Sequence, residues 1–165
     1  MFRLRRKHMN RSPRIALLEV AVNTRYAASR LGILITRLRN TYLRTGDEQM
    51  KALLDKTLYI QAALEVLAVK LETRAEIGLI TSEDIALTKN VLEEIKKVAT
   101  IVNPGLASML AELDNMTTSL ASLAGIEPPM RGENKPVDEE TKLILERARV
   151  AAEERLNEIL GNRET

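Results

Sequence analysis

The side chains best suited to chemistry in this sequence are the basic residues concentrated near its start. Residues 1–14 (MFRLRRKHMNRSPR) contain six positive charges and no acid, and Phe2, Leu4 and Met9 are interspersed among them. Guanidinium and ammonium groups bind the phosphates of a nucleic acid or of an anionic membrane. We therefore predict that this arm binds a polyanionic surface; the alternative is a solvated tail without a partner.

A second group of arginines extends the positive charge beyond the arm. Arg30, Arg37 and Arg44 recur every seven residues, which places them in one row along a helix, where they either face a polyanion or serve as ordinary solubilising charge. The predicted binding residues are Phe2, Arg3, Leu4, Arg5, Arg6, Lys7, Arg11, Arg14, Arg30, Arg37 and Arg44.

The net charge of +2 conceals a strong polarity along the chain. Up to Thr45 there are eleven basic residues and one acid, Glu19, which gives +10. The other 120 residues carry 14 basic and 22 acidic groups, which gives −8. This polarity favours attachment of the basic end to a polyanion and attraction between copies of the chain.

Residues typical of catalysis do not come together in the sequence. His8 is the single histidine and lies in the basic arm, there is no cysteine, and the seven glycines form no phosphate-binding loop. A serine nucleophile would have no histidine within the helical core to activate it. We expect a protein that is not an enzyme and that uses no cofactor and no metal.

The composition predicts an all-α fold. Aromatic residues make up only 2% of the chain, so a core must be built from Leu, Ile, Val, Ala and Met, which suits long helices. No run of about 18 apolar residues occurs, and no apolar segment follows the basic start. The sequence therefore predicts neither a membrane span nor a secretory signal, and we expect a cytosolic location.

A seam of apolar residues at alternating spacings of four and three predicts a long helix between about 47 and 77. Thr45-Gly46-Asp47 breaks the chain before it, and a similar seam runs from Ser12 to about Arg44, so the two helices are predicted to fold back as an antiparallel hairpin. Periodicity alone also fits any other helix bundle. The predicted hairpin seam consists of Leu31, Ile35, Leu38, Leu53, Ile60, Leu64, Leu67 and Leu71.

Two to three further helices are predicted after the hairpin. Gly78 to Ser82 is a break with Thr81 or Ser82 as the next cap, and Asn103-Pro104 ends one helix and starts another. The predicted divisions are an arm at 1–11, a helical core at 12–124 (hairpin 12–77, helices 82–124), a Pro/Gly linker at 125–137 and a C-terminal docking helix at 138–160.

Three blocks of this sequence resemble the ESCRT-III family, in particular its archaeal CdvB cell-division branch. They are ALExxxxxLET at 63–73, VLxEIK at 91–96, and Pro104 followed by LxEL at 110–113. The basic first half and acidic second half match the family's charge layout, and the resemblance covers about residues 12–160. The chain resembles the short form of the family, which has no C-terminal winged-helix extension.

The resemblance implies a protein that polymerises on membranes, together with paralogues, and constricts or cuts them. It places the arm and the Arg30, Arg37, Arg44 row on the lipid, at the inner face of the cell membrane and at the division site. It also implies that an AAA ATPase with an MIT domain contacts the last helix, where the motif has Ala152 in place of Leu. The residues implied for that contact are Arg155, Leu156, Ile159 and Leu160.

The alternative is a helical nucleic-acid-binding or adaptor protein that uses the same basic half on phosphates. Bulky apolar residues (Phe2, Leu4, Met9) interleave the arm, whereas aromatic residues that could stack on bases are nearly absent. This pattern favours lipid over nucleic acid.

Overall fold

The computed structural model describes residues 12–127 and 138–161. These residues form five α-helices and no strand, which confirms the prediction of an all-α fold. The helices are α1 (Pro13–Thr45), α2 (Glu48–Ile77), α3 (Ser82–Val102), α4 (Pro104–Leu123) and α5 (Glu139–Gly161). No helix in the described part of the chain has the length and apolar character that crossing a membrane requires.

Local capping sets the helix ends at the predicted breaks. The Ser12 side chain accepts from the Ile15 amide and Pro13 occupies the first turn, as expected at the start of α1. α1 ends at Gly46, whose φ of 68° is the left-handed conformation that glycine adopts most readily, and Asp47 caps α2. Of the two candidate caps for α3, Thr81 is the one used.

The long helices α1 and α2 pack along their lengths, and contacts join the start of α1 to the end of α2. Arg14 Nε donates to the Ala75 carbonyl at 3.0 Å, and Gln61 Nε2 donates to the Ala28 carbonyl at 2.9 Å. Seven of the eight predicted seam residues are buried, and Leu53 is half-buried against the core. The seam therefore lies at the centre of the fold.

Helix α2 is the central element, because it packs against α1, α3 and α5. Ile60, Leu64 and Leu67 in its middle are fully buried. α4 packs on α3 and α1, so it covers part of the side of α1 that α2 leaves free.

Helix α5 packs against α2 through one apolar face. Ile144, Ala148 and Ala152 are buried there, and Leu145 is partly buried. Lys70 of α2 pairs with Glu140 of α5. Arg149 lies 5.2 Å from the centre of the Tyr59 ring, and burial raises the pKa of that tyrosine.

Candidate membrane-binding surface

An apolar stripe runs along the outer face of α1. Its side chains recur at spacings of three, four, four and seven, so they share one side of the helix, and each is at least 40% exposed. The members of this outer stripe are Ile15, Leu18, Val22, Tyr26 and Ile33. Single exposed apolar residues are ordinary, but an aligned row of five is a candidate interaction surface.

The outer stripe lies opposite the buried face of α1. At about 100° per residue, the buried positions Val20, Leu31 and Ile35 lie roughly half a turn away from Val22 and Ile33. α1 is therefore apolar on two opposite sides, and its own core covers only one of them. The outer side stays largely exposed in the described part of the chain.

Arginines flank the outer stripe. Arg30 lies with its guanidinium carbon 5.8 Å from the centre of the Tyr26 ring, and Arg37 and Arg44 follow on the same flank. None of these three arginines forms an ion pair with a carboxylate in the described part of the chain. Their charge is available to an external anion.

Two other arginines of α1 are used within the fold. Arg14, a predicted binding residue, is exposed but donates to the Ala75 carbonyl. Arg25 donates from Nε and Nη2 to both carboxylate oxygens of Glu72, at 2.7 and 2.9 Å. These contacts join the first half of α1 to the end of α2.

The predicted arm residues Phe2, Arg3, Leu4, Arg5, Arg6, Lys7 and Arg11 lie outside the described residues. Among the predicted binding residues, the structure therefore places Arg14, Arg30, Arg37 and Arg44. The outer stripe was not predicted from the sequence, because the period of α1 had been interpreted only as the hairpin seam. The signal was present: once the seam is removed, the remaining apolar residues still repeat with a helical period.

The residues implied for an ATPase contact lie against the core of the same chain. Arg155 Nη2 donates to Glu65 Oε2 at 2.6 Å, and Arg155 Nη1 donates to Gln61 Oε1 at 3.4 Å. Leu156 and Ile159 pack against the core, and Leu160 is half-buried at the end of α5. An MIT domain that used this face would have to replace the contacts with α2.

The Arg25–Glu72 pair predicts a pH dependence of stability. The hydrogen bond from Arg25 lowers the pKa of Glu72 below its ordinary value of 4.5, and the same bond raises the pKa of Arg25. Because the folded pKa is the lower one, the stabilisation is complete above the ordinary value and is lost as the pH falls through the folded value. We expect Glu72→Gln to reduce the loss of stability on acidification, as followed by urea unfolding between neutral pH and about pH 3.

Glu76→Gln is the matched control for this measurement, because Glu76 is an exposed acid on the same helix. The pair is itself largely exposed, so the expected difference is small. Equal acid sensitivity in the Glu72→Gln and Glu76→Gln variants would argue against a contribution from the Arg25–Glu72 bond.

No protein-family model, no curated protein and no solved structure matches this chain. A function must therefore be argued from the surface of the fold and from the sequence resemblance.

Proposed function

We propose that this chain is a membrane-remodelling protein of the ESCRT-III type, which attaches to anionic membrane and polymerises there to constrict or cut it. The observation that carries the proposal is the outer stripe of α1, exposed opposite the core and flanked by Arg30, Arg37 and Arg44. The proposed setting is cell division or vesicle budding at the inner face of the cell membrane.

The outer stripe matches the physical requirements of an interfacial helix. From Ile15 to Ile33 it extends about 27 Å along the axis, which is long enough to lie across many lipid headgroups. Apolar side chains at the headgroup boundary supply the hydrophobic part of the binding free energy, and each nearby Arg contributes about 1 kcal/mol on an anionic leaflet. The two contributions together give stable peripheral attachment, with the predicted arm as a further anchor.

The pairing of α1 with α2 supports the same proposal. The hydrogen bonds of Arg14 to Ala75 and of Gln61 to Ala28 are those expected of an antiparallel hairpin, which we propose as the ESCRT-III-type rod. A rod of two long helices presents the whole outer stripe to a flat surface. Copies of the chain and of paralogues would then assemble side by side, attracted by the basic first half and the acidic remainder.

The remaining proposed partner is an AAA ATPase with an MIT domain, acting through α5. Because Arg155 binds Glu65 of α2 and Ala152 stands in place of Leu, this contact would require α5 to release its own bond to α2.

Vesicle binding tests the role of the outer stripe. We expect the double variant Val22→Glu/Ile33→Glu to bind anionic vesicles roughly tenfold more weakly or worse, because it replaces two apolar contacts by repelling charges. Co-sedimentation of the full chain with phosphatidylglycerol vesicles measures this. Both residues are more than 60% exposed, so the fold should be unaffected.

The control is Val69→Glu/Ile101→Glu, which makes the same changes at exposed positions of α2 and α3. It adds the same negative charge and should reduce binding far less. Equal loss in both double variants would mean that net charge alone governs binding and would remove the stripe from the proposal.

Binding to DNA or RNA with steep salt dependence, without vesicle binding, would favour the nucleic-acid alternative. Filaments on the vesicles by negative stain are expected for the native chain.

A further inference from the structure

A groove between α1 and α4 lies beside the outer stripe. It has a volume of about 420 Å³ and is lined on α1 by Arg30, Ile33 and Arg37, with Leu31 and Leu34 at its base. Ile33 belongs both to the stripe and to the groove wall. A molecule in the groove would therefore adjoin the surface that we propose contacts lipid.

The walls of the groove combine positive charge with apolar surface. Arg30 and Arg37 lie about 10 Å apart along the axis of α1, and Arg30 would turn from the Tyr26 ring to bind one group together with Arg37. From α4, the apolar side chains Leu106 and Met109 face the same space. This combination suits an amphiphile that carries an anionic head.

The start of α4 also lines the groove. Asn103 and Gly105 border it, and the first turn of α4 carries no acid; because α3 ends at the same Asn103, the negative end of α3 offsets the dipole of α4 there. Glu112, about two and a half turns after Asn103, is the one carboxylate among the described residues that line the groove. The two arginines outnumber this carboxylate, so the groove lining carries a net positive charge.

We propose that this groove binds the headgroup of an anionic phospholipid that ends in a phosphate monoester. Guanidinium groups bind phosphate through paired hydrogen bonds, and a terminal phosphate offers three oxygens to the two arginines, whereas a phosphodiester offers two. The apolar wall formed by Leu106 and Met109 would contact the glycerol and upper acyl carbons. This inference rests on the proposed membrane attachment and adds a headgroup preference to it.

The test compares vesicles that differ in headgroup but not in surface charge. The full chain is titrated with phosphatidylcholine vesicles containing either phosphatidic acid or phosphatidylglycerol, with mole fractions set to give equal zeta potential. We expect about tenfold tighter binding to phosphatidic acid. Arg30→Gln/Arg37→Gln should abolish this preference, whereas Arg39→Gln/Arg44→Gln, which removes the same charge from exposed positions of α1, should weaken binding to both vesicles and keep the preference.

Two further substitutions distinguish binding in the groove from general electrostatic attraction to the vesicle. Ser108 is exposed and lines the groove, so Ser108→Trp should fill it and remove the preference without weakening binding to phosphatidylglycerol. Glu112→Gln removes the carboxylate from the groove and should increase the preference.

Each outcome decides between the two proposals. Equal binding of the native chain to both vesicles would overturn the headgroup site and leave membrane attachment intact. Absence of binding to either vesicle would overturn both. Inorganic phosphate that competes as strongly as phosphatidic acid would assign the groove to free phosphate and overturn the lipid assignment.

Discussion

Replacing Leu64 by alanine is expected to lower the free energy of unfolding by about 2–5 kcal/mol. Leu64 is fully buried in the middle of α2, the helix that packs against α1, α3 and α5. Truncation removes three buried carbon atoms and leaves a cavity that the helices packed around α2 cannot easily close. For a chain of this size, each kcal/mol corresponds to a decrease of about 2–4 °C in the midpoint of thermal unfolding.

Urea unfolding followed by far-UV circular dichroism measures this loss. Val69→Ala is the matched control, because Val69 lies on the same helix but is 53% exposed, and its truncation should change stability by less than about 0.5 kcal/mol. A loss at Leu64 no greater than that at Val69 would mean that the centre of α2 is not part of a packed core, which would contradict the proposed α1–α2 rod.

Replacing Asp84 by alanine is expected to cost about 2–3 kcal/mol, a large effect for a polar residue. Asp84 is only 4% exposed and accepts hydrogen bonds from the backbone amide and the hydroxyl of Thr81, at 2.9 and 3.0 Å. Its other carboxylate oxygen lies 3.0 Å from Arg74 Nε. One side chain thus completes the capping box of α3 and joins α3 to the end of α2.

A series of substitutions separates the cap from the ion pair. Asp84→Asn keeps an oxygen that can accept the bonds from Thr81 but loses the charge, so we expect a smaller loss than for alanine. A double-mutant cycle of Asp84→Asn with Arg74→Gln should give a favourable coupling energy, since the carboxylate is buried. Thermal and urea unfolding supply all four stabilities.

Glu83→Gln is the control for this series, because Glu83 is exposed in the same first turn of α3. It changes the charge near the helix start and should cost less than about 1 kcal/mol. If Asp84→Ala lowers the free energy of unfolding no more than Glu83→Gln does, the connection between α2 and α3 depends on the Gly78 turn and on apolar packing instead.

The sequence by itself determined where the helices begin and end. Ser12-Pro13, Gly46-Asp47 and Asn103-Pro104 are visible as breaks because a cap acts on backbone groups within about four residues of itself. The seam of α2 was visible for the same kind of reason, since the helical period alone places Ile60, Leu64 and Leu67 on one face.

Only the tertiary structure decided which surfaces remain open. Val22 and Ile33 are as apolar as the seam residues, and a further helix could have covered them, but both stay more than 60% exposed in the assembled fold. The groove beside them likewise requires residues 30–37 of α1 to meet residues 103–112 of α4. No local sequence pattern predicts that these parts of α1 and α4 lie side by side.

The same limit applies to polar contacts between distant segments. Gln61 donates to the Ala28 carbonyl and accepts from Arg155, and Arg155 also binds Glu65, 90 residues away. Capping and periodicity depend on neighbours along the chain, whereas such contacts depend on how complete helices pack. Helix ends and the buried face of α2 could therefore be predicted from the sequence, but the partners of Gln61 and the uncovered face of α1 required the assembled fold.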